Sequence, residues 1–204
     1  MALFDLFTDR LLRRPRGPLA RLMWRDMKSH HEIFRDTLAE LHLTESDHLL
    51  EVGCGGGTFA ARALETGCRV TAVDHSADMV TLTRSRNETA VREGRLEVIE
   101  AAAEALPLPD GRFSSATAMN ILFFVDAPAM LSELHRVLEP NGRLVLHTVA
   151  PDPPRSLMPP PVAKRARFHS DAELVAMLEG ADLQEPKIRR VDNAFQIATA
   201  TRPA

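Results

Sequence analysis

The sequence predicts an α/β fold, a doubly wound and mostly parallel sheet that ends in an antiparallel C-terminal hairpin. Between residues 48 and 149, short runs rich in β-branched and apolar residues alternate with stretches of helical periodicity. This alternation is typical of a parallel sheet with helices on both faces. A glycine cluster at residues 53–57 follows the first run, at a position where ligand-binding loops of such folds lie. Near the end of the chain, two β-rich runs are separated by only Asp192 and Asn193, which predicts a hairpin.

Each element is predicted from the spacing of its apolar residues and from the residues that interrupt it. Strands are predicted at 48–52, 69–74, 96–99, 113–119, 143–149, 187–191 and 194–201, and helices at 19–42, 58–66, 77–92, 127–138 and 171–178. Ser170 is expected to cap the last helix, and Pro140, Asn141 and Gly142 are expected to end the helix before the fifth strand. The proline-rich residues 151–161 predict a stiff surface loop.

Length and composition indicate one globular domain with a short extension. The chain has 204 residues, of which 45% are hydrophobic and 26% charged, and its net charge is −3. Because there is no basic excess to follow a phosphate backbone, we expect no nucleic-acid partner. The two cysteines suggest neither a disulfide framework nor a metal site, and no apolar run approaches the roughly 20 residues of a transmembrane helix. The N-terminus also lacks the residue order of a secretory signal, so we expect a cytoplasmic protein that does not associate with membranes.

The segment from Glu51 to Gly57, with the sequence EVGCGGG, is the strongest functional signal. Glycines allow a tight turn and let a ligand approach the backbone where a Cβ would block it. Asp74 ends the next predicted strand, where a carboxylate can accept hydrogen bonds from both hydroxyls of a ribose. A purely structural glycine turn is the alternative. The succession of strand, loop, helix and acid favours a nucleotide-like ligand.

A dinucleotide is one ligand to consider for this loop. Gly55, Gly57 and Ala60 match a dinucleotide fingerprint, which would indicate an NAD-dependent oxidoreductase. Against this, the anionic Glu51 suits a cationic ligand group better than a pyrophosphate. The predicted C-terminal hairpin also takes the place of a second mononucleotide-binding half. A protein that binds such a ligand without catalysing a reaction is a third alternative.

Four segments occur along the chain in this order: Glu51–Gly57, Val73-Asp74, Ala103–Phe113 and Leu134–Leu144. They resemble four successive motifs of the class I S-adenosylmethionine-dependent methyltransferases, and the small-molecule branch is the most similar. The resemblance implies a Rossmann-like fold, S-adenosylmethionine as the cofactor, and in-line transfer of its methyl group to an O, N or C nucleophile of a small molecule. It also implies that residues 1–45 form an arm and a helix covering the active site, and that residues 46–204 form the cofactor-binding domain.

The resemblance assigns the cofactor contacts residue by residue. Glu51 is expected at the amino-acid end of the cofactor, Asp74 at the ribose and His75 beside the adenine. The full set of expected contacts is Glu51, Gly53, Gly55, Gly57, Asp74, His75, Ala102, Ala103, Glu104 and Asn120. The sequence departs from the family at Ala102, where an aspartate often accepts a hydrogen bond from the adenine amino group. A backbone group or Glu100 is expected to take that role here.

The methyl acceptor is expected beyond the C-terminal ends of the fourth and fifth strands, where ligands bind in open α/β sheets. His147, near the end of strand five, is the candidate general base, with a pKa expected near neutrality. A base is needed only if the nucleophile is a weakly acidic O–H or C–H group, and the alternative role of His147 is a hydrogen bond to a neighbour. The candidate acceptor-binding residues are Trp24, His30, Met119, Phe123 and Phe124, whose character favours a hydrophobic acceptor. The two phenylalanines have ordinary packing under the next helix as their alternative role.

Two further clusters are interpreted without a catalytic role. His30 and His31 are adjacent and lack the i, i+4 spacing of helical metal ligands, so no metal is expected. Lys164, Arg165 and Arg167 follow the proline-rich segment and are interpreted as a solvated surface. The alternative is a flap that brings a cation to an anionic acceptor.

Overall fold

The computed structural model describes residues 16–17, 21–22, 24, 30–151, 153 and 166–204. These residues contain one seven-stranded sheet with the strand order β3-β2-β1-β4-β5-β7-β6. The strands are β1 His48–Val52, β2 Arg69–Asp74, β3 Leu96–Glu100, β4 Phe113–Met119, β5 Leu138–Val149, β6 Gln184–Val191 and β7 Phe195–Thr201. Strands β1 to β5 pair in parallel, whereas β7 is antiparallel to both β5 and β6. The predicted α/β class, with its parallel sheet and antiparallel C-terminal hairpin, is therefore confirmed.

Helices cover both faces of the sheet. They are α1 His31–Leu41, α2 Thr58–Leu64, α3 Ala77–Arg86, α4 Glu88–Arg92, α5 Ala127–Val137 and α6 Asp171–Gly180, with a 3₁₀ turn at Leu122–Phe124. Neighbouring residues of a strand point to opposite faces, so Leu49 joins an apolar cluster with α1 and α2, and Leu50 joins a cluster with α5 and α6. Each buried leucine or phenylalanine contributes about 1.5–3 kcal/mol. The two clusters together hold the helices on the sheet.

The prediction of one helix over 77–92 is wrong in one respect, because the helix is interrupted at Asn87. The Nδ2 atom of Asn87 donates to the carbonyl oxygens of Thr83, at 3.0 Å, and Gly57, at 3.1 Å. Asparagine competes in this way for the hydrogen bonds that would continue a helix. Asn87 therefore ends α3, and α4 begins at the next residue.

The fifth strand begins at Leu138 and not at residue 143 as predicted. The preceding helix ends at Val137, one residue earlier than predicted, and the segment Pro140-Asn141-Gly142, expected to end that helix, lies within this strand. Asn141 has a left-handed φ of 63°, and its N–H donates to the carbonyl of Arg202 at 3.0 Å. The N–H of Arg202 donates in turn to the carbonyl of Gly142 at 2.9 Å. A long-range contact with the end of the chain thus extends the strand.

Local capping and turn predictions agree with the structure. The Ser170 Oγ accepts the N–H of Glu173 at 3.2 Å, and the Glu173 carboxylate accepts the N–H of Ser170 at 2.7 Å, which forms a capping box. Asp192 and Asn193 have φ of 48° and 53°, as a two-residue hairpin turn requires. Helix α6 and strand β6 are each slightly longer than predicted.

Parts of two predictions lie outside the described residues. Of the helix predicted at 19–42, α1 covers the residues from His31 onward, and Arg21, Leu22 and Trp24 are also helical. Most of the proline-rich loop, together with Lys164 and Arg165, is not among the described residues. Within the described ranges, no helix is long and apolar enough to cross a membrane.

Candidate functional site

The glycine loop, residues 53–57, connects β1 to α2 through residues in the left-handed region. Gly53, Gly55 and Gly57 have φ of 78°, 51° and 72°, which favours glycine because other residues are strained there. The N–H groups of Gly53 and Cys54 donate to the carbonyl of Val73 on β2, at 2.8 and 3.0 Å. The start of the loop is therefore fixed to the neighbouring strand.

Three side chains from α3 and its C-terminal cap hold the carbonyl groups of the loop. The donors Thr83 Oγ1, Arg86 Nε and Asn87 Nδ2 lie 2.8, 2.7 and 3.1 Å from the carbonyl oxygens of residues 55, 56 and 57, respectively. Sequence analysis did not identify these residues, although their spacing places them on one side of a helix. Contacts within the protein thus determine the shape of the loop.

Asp74 ends β2, as predicted, and its carboxylate contacts the backbone on two sides. Oδ2 accepts the N–H of Gly55 and Oδ1 accepts the N–H of Ser76, each at 2.9 Å. Burial raises the pKa of Asp74, and these two N–H groups offset part of that rise. The Nδ1 atom of the half-exposed His75 lies 3.6 Å from Oδ1. Each carboxylate oxygen keeps a further lone pair, so Asp74 can also accept a hydroxyl group.

Glu51 is a buried carboxyl group two residues before the loop. Its side chain is 1% exposed, and its Oε2 atom has no hydrogen-bond partner in the described part of the chain. Burial raises the pKa of Glu51 well above its usual value, and the negative charge of Asp74 raises it further. A buried carboxylate without a counter-charge is unfavourable. A cationic ligand group beside Glu51 would stabilise its ionised form.

Buried polar atoms without hydrogen-bond partners are concentrated near the carboxyl ends of β1, β4 and β5. Among the described residues there are six such atoms. Five of them are Glu51 Oε2, Thr58 Oγ1, Thr117 Oγ1, Asn120 Oδ1 and His147 Nδ1. The strand register pairs Glu51 with Thr117, and Met119 with His147, on the same face of the sheet. Since buried polar groups in proteins are normally hydrogen-bonded, this concentration indicates a surface for a polar ligand.

His147 lies where the sequence placed it, near the end of β5, and it is 1% exposed. Burial lowers its pKa to about 4, and the neighbouring charge of Asp36 opposes this only in part. This value is lower than the near-neutral pKa expected of a general base. The imidazole is therefore uncharged at neutral pH. The N–H of Asn120 donates to the carbonyl of His147 at 2.7 Å, which fixes the ends of β4 and β5 to each other.

Phe123 and Phe124 pack against residues from the C-terminal part of the chain. Their ring centroids are 4.5 Å apart, and that of Phe123 is 5.8 Å from that of Phe168. Phe123 is buried with Val149, whereas Phe124 is partly buried at the same cluster. Packing, the alternative role of this pair, is thus observed, but the partner is the segment before α6 and not the helix that follows.

Trp24 and His30, which the sequence grouped with the acceptor, contact different parts of the chain. The Trp24 ring lies on the glycine loop, because a Cβ added at Gly55 would come within 2.9 Å of its Cε3 atom. His30 immediately precedes α1, with its ring centroid 6.0 Å from that of Phe34, and burial lowers its pKa. The charges of His30 and His147 influence each other, so His30 belongs to the region of the β5 end.

The segment expected at the adenine begins where β3 ends. The N–H of Ala101 donates to the carbonyl of Asp74 at 3.1 Å, which keeps this segment beside the end of β2. Ala102 is exposed and Ala103 is buried. The Glu104 carboxylate accepts the backbone N–H of the residue that caps α5, at 3.1 Å. This segment therefore lies beside the end of β2, and Ala102 is accessible to solvent.

Two further residues of this region were not identified from the sequence. Thr117 lies two residues before Met119, so the period of two along a strand could have placed both on the same face. The Phe195 ring centroid lies 5.1 Å from that of His147. Phe195 belongs to β7, and only the pairing of β7 with β5 brings it to this position.

Comparisons with known proteins show similarity to methyltransferases. A family model described as a methyltransferase domain matches residues 50–146. An O-methyltransferase from Aspergillus sclerotiorum is 29% identical over 193 residues, which cover 90% of this chain and 72% of that protein. The mitochondrial ubiquinone biosynthesis O-methyltransferase of Schizosaccharomyces pombe is 35% identical over 121 residues, which cover 58% of this chain and 42% of that protein. The chain spans about half the length of several of the curated relatives it matches.

Solved structures share the fold. A methyltransferase from Aquifex aeolicus, described as dependent on S-adenosylmethionine, aligns with a TM-score of 0.75 at 22% identity, covering 92% of this chain and 99% of that one. At this level of identity the likeness concerns the arrangement of strands and helices.

Proposed function

Because the chain belongs to the class I S-adenosylmethionine-dependent methyltransferases, with S-adenosylmethionine as its cofactor, we propose that it methylates an O, N or C nucleophile of an apolar small molecule. Three of its relatives are named O-methyltransferases, one of them in ubiquinone biosynthesis. These names support a small-molecule acceptor. The chemistry of the strand ends supports the finer assignments that follow.

The buried and unpartnered Oε2 atom of Glu51 is the observation that carries the cofactor assignment. The ammonium group of S-adenosylmethionine is a cation of the kind that this carboxylate needs. Asp74 is proposed to accept the ribose hydroxyls through its remaining lone pairs. His75 and residues 102–104 are proposed to border the adenine, with Gly53, Gly55 and Gly57 along the cofactor backbone.

On the acceptor side, His147 is proposed to bind the group that carries the nucleophile. Asn120, expected from the sequence at the cofactor, is proposed to assist His147, because its N–H donates to the carbonyl of His147. Their buried atoms Nδ1 and Oδ1 have no hydrogen-bond partner in the described part of the chain, and both are hydrogen-bond acceptors when the neutral imidazole carries its proton on Nε2. They suit an O–H or N–H donor better than an anion such as a thiolate, because two acceptor atoms repel a negative charge. Met119 and Phe195 provide apolar surroundings that exclude water.

The bound cofactor supplies a methyl group that is already activated by its sulfonium leaving group. The protein therefore has mainly to orient the nucleophile, and orientation can contribute about 7–11 kcal/mol. His147 is proposed to accept the proton of the nucleophile as the new bond forms. Residues 1–45 are proposed to cover this site and residues 46–204 to hold the cofactor, an arrangement supported by the contact of Trp24 with Gly55.

Calorimetry with S-adenosylhomocysteine and with NAD tests the proposal. Binding of S-adenosylhomocysteine without binding of NAD is expected, and Glu51→Gln is expected to weaken it. Incubation of cell extracts with isotopically labelled S-adenosylmethionine should then yield a small product that carries the labelled methyl group. Binding of NAD alone would favour an oxidoreductase, and binding of S-adenosylhomocysteine without any labelled product would favour a binding protein.

A further inference from the structure

Asp78, near the start of α3, binds two residues that precede α1 in the chain. Its Oδ2 atom accepts the N–H of Gly17 at 2.6 Å. Its Oδ1 atom accepts a hydrogen bond from Nε of Arg21 at 3.0 Å and also forms an ion pair with Nη2 of the same guanidinium group. Both carboxylate oxygens are thus used in contacts with the N-terminal region.

Trp24 lies three residues after Arg21 and contacts the glycine loop. Arg21 and Trp24 both have helical backbone, so their separation is less than one turn. The indole ring occupies the position that a Cβ of Gly55 would take, and the Trp24 carbonyl oxygen occupies the corresponding position at Gly56. While Trp24 lies there, no other group can contact Gly55 from that side.

The same arrangement restricts access to Asp74. Asp74 is 6% exposed, and its Oδ2 atom accepts the N–H of Gly55, the residue that Trp24 covers. A ligand that binds this carboxylate and extends along Gly55 would therefore compete with the indole ring. The proposed cofactor-binding surface and the contact surface of Trp24 therefore overlap.

We propose that Asp78 is a positioning residue that controls cofactor entry: through Gly17 and Arg21 it holds Trp24 on Gly55, and the cofactor reaches the loop after these contacts break. This inference rests on the proposed function, because it takes residues 53–57 as the cofactor-binding loop. Asp78 acts through Arg21 and Trp24 and not by touching the cofactor.

The strength of the contact suits an interaction that opens during binding. The side chains of Arg21 and Asp78 are 50% and 21% exposed. Ion pairs that are partly solvated in this way are weak, although the second hydrogen bond from Gly17 adds to this one. Loss of the carboxylate charge is expected to change the opening equilibrium by about three- to tenfold.

The fluorescence of Trp24 can report on the opening that precedes cofactor binding. Trp24 is the only tryptophan, and the sequence contains no tyrosine, so intrinsic emission reports on Trp24. Stopped-flow mixing of the full chain with S-adenosylhomocysteine gives the association rate constant from this emission. Asp78→Asn and Arg21→Gln are each expected to raise that rate constant by about three- to tenfold. The double variant is expected to show no further increase over Asp78→Asn, because Asp78→Asn already removes the ion pair with Arg21.

Glu93→Gln is the matched control. It removes another exposed ion pair, with Arg95 at 2.8 Å, which involves no residue of the N-terminal region. Its association rate constant is expected to equal that of the wild type. Acrylamide quenching of Trp24 before ligand is added should increase in Asp78→Asn and Arg21→Gln and stay unchanged in Glu93→Gln.

The outcomes separate this inference from the proposed function. Unchanged or slower association in Asp78→Asn and Arg21→Gln, with calorimetric binding intact, would overturn the role of Asp78 and leave the cofactor assignment standing. Additive effects in the double variant would also overturn it, because the two residues would then act separately. A wild-type chain that binds no S-adenosylhomocysteine in calorimetry would instead overturn the proposed function.

Discussion

The carboxylate of Asp74 accepts a hydrogen bond from the backbone N–H of Gly55 at 2.9 Å. The residue proposed to bind the ribose therefore also fixes the loop proposed to bind the rest of the cofactor. Its second oxygen accepts the N–H of Ser76, so one side chain connects the loop after β1 with the turn after β2. Substitutions at Asp74 should affect both loop geometry and ligand affinity.

Asp74→Ala is expected to weaken binding of S-adenosylhomocysteine by about 1.5–3 kcal/mol, the usual contribution of hydrogen bonds to a charged group. Asp74→Asn is the matched variant, because its amide oxygen can still accept one of the two backbone N–H groups. Its loss of affinity should be smaller. Calorimetry measures the affinities, and a thermal melt shows whether each variant is folded. Unchanged affinity in a folded Asp74→Ala variant would rule out the ribose assignment.

Gly57 and Gly94 offer a matched test of close packing at the loop, because both have φ of 72°. A Cβ at Gly57 would come within 2.7 Å of Thr83 Cγ2 and 2.8 Å of Asn87 Nδ2, whereas a Cβ at Gly94 would meet nothing within 4 Å. Gly94→Ala should lower the free energy of unfolding by about 1–2 kcal/mol, the strain of a left-handed residue. Gly57→Ala should lower it by roughly a further 1–3 kcal/mol through overpacking. Urea unfolding of the two variants measures this difference, and equal losses would contradict the packing argument.

Glu51 should couple cofactor binding to the release of a proton. Its pKa is raised well above the ordinary value by burial and by Asp74, and a bound ammonium group would lower it again. Affinity for S-adenosylhomocysteine should therefore increase as the pH rises from the pKa of the complex to the higher pKa of the free protein, and level off above it. Calorimetry in buffers of different ionisation enthalpy measures the released proton.

Glu51→Gln provides the control for this coupling. The amide has a similar shape but no charge, so the variant should bind more weakly and lose the part of the pH dependence that arises from Glu51. If the wild-type chain binds S-adenosylhomocysteine but releases no proton at any pH below the raised pKa of Glu51, no cation is placed beside Glu51. The ammonium group would then have to bind elsewhere.

The fold was predictable because its signals are local. The β-branched run before Asp74, the hairpin turn at Asp192 and Asn193, and the cap at Ser170 each depend on a few neighbouring residues. The wrong boundary at Leu138 has a long-range cause, since Asn141 pairs with Arg202 near the end of the chain. The interruption at Asn87 likewise depends on Gly57, thirty residues away.

The candidate site was predictable only where family motifs specify its residues. Glu51 and Asp74 belong to such motifs, and the structure brings both to the carboxyl edge of the sheet. Trp24 was assigned to the acceptor from its apolar character, and composition cannot show that its ring lies on Gly55. Phe195 could not be placed without the order of strands β5 and β7.

The low pKa of His147 predicts an unusual pH dependence for a histidine base. Because burial lowers this pKa to about 4, the imidazole should stay neutral and able to accept a proton down to weakly acidic pH. The wild-type kcat/KM should therefore not fall as the pH drops through the usual histidine pKa of about 6.5, and its acidic limb should lie near the lower value. A fall centred near 6.5 would mean that another group titrates in the reaction or that His147 is more hydrated than the structure indicates.

His147→Ala should reduce turnover by about 10²–10⁴-fold, the range for loss of a general base, and leave the affinity for S-adenosylhomocysteine intact. His48 is the matched control, because burial also lowers its pKa to about 4, but it lies at the start of β1 and its Nε2 contacts Thr71 Oγ1 at 3.0 Å.

Both histidines, His48 and His147, are neutral in the folded chain at pH values where the unfolded chain protonates them. Each therefore contributes stability that is present above about pH 6.5 and is lost as the pH falls towards 4. His48→Gln and His147→Ala should both weaken this acid sensitivity, whereas only His147→Ala should lower turnover per folded molecule. If both variants keep wild-type turnover, His147 is a buried structural histidine, and the acceptor is a nucleophile that needs no base.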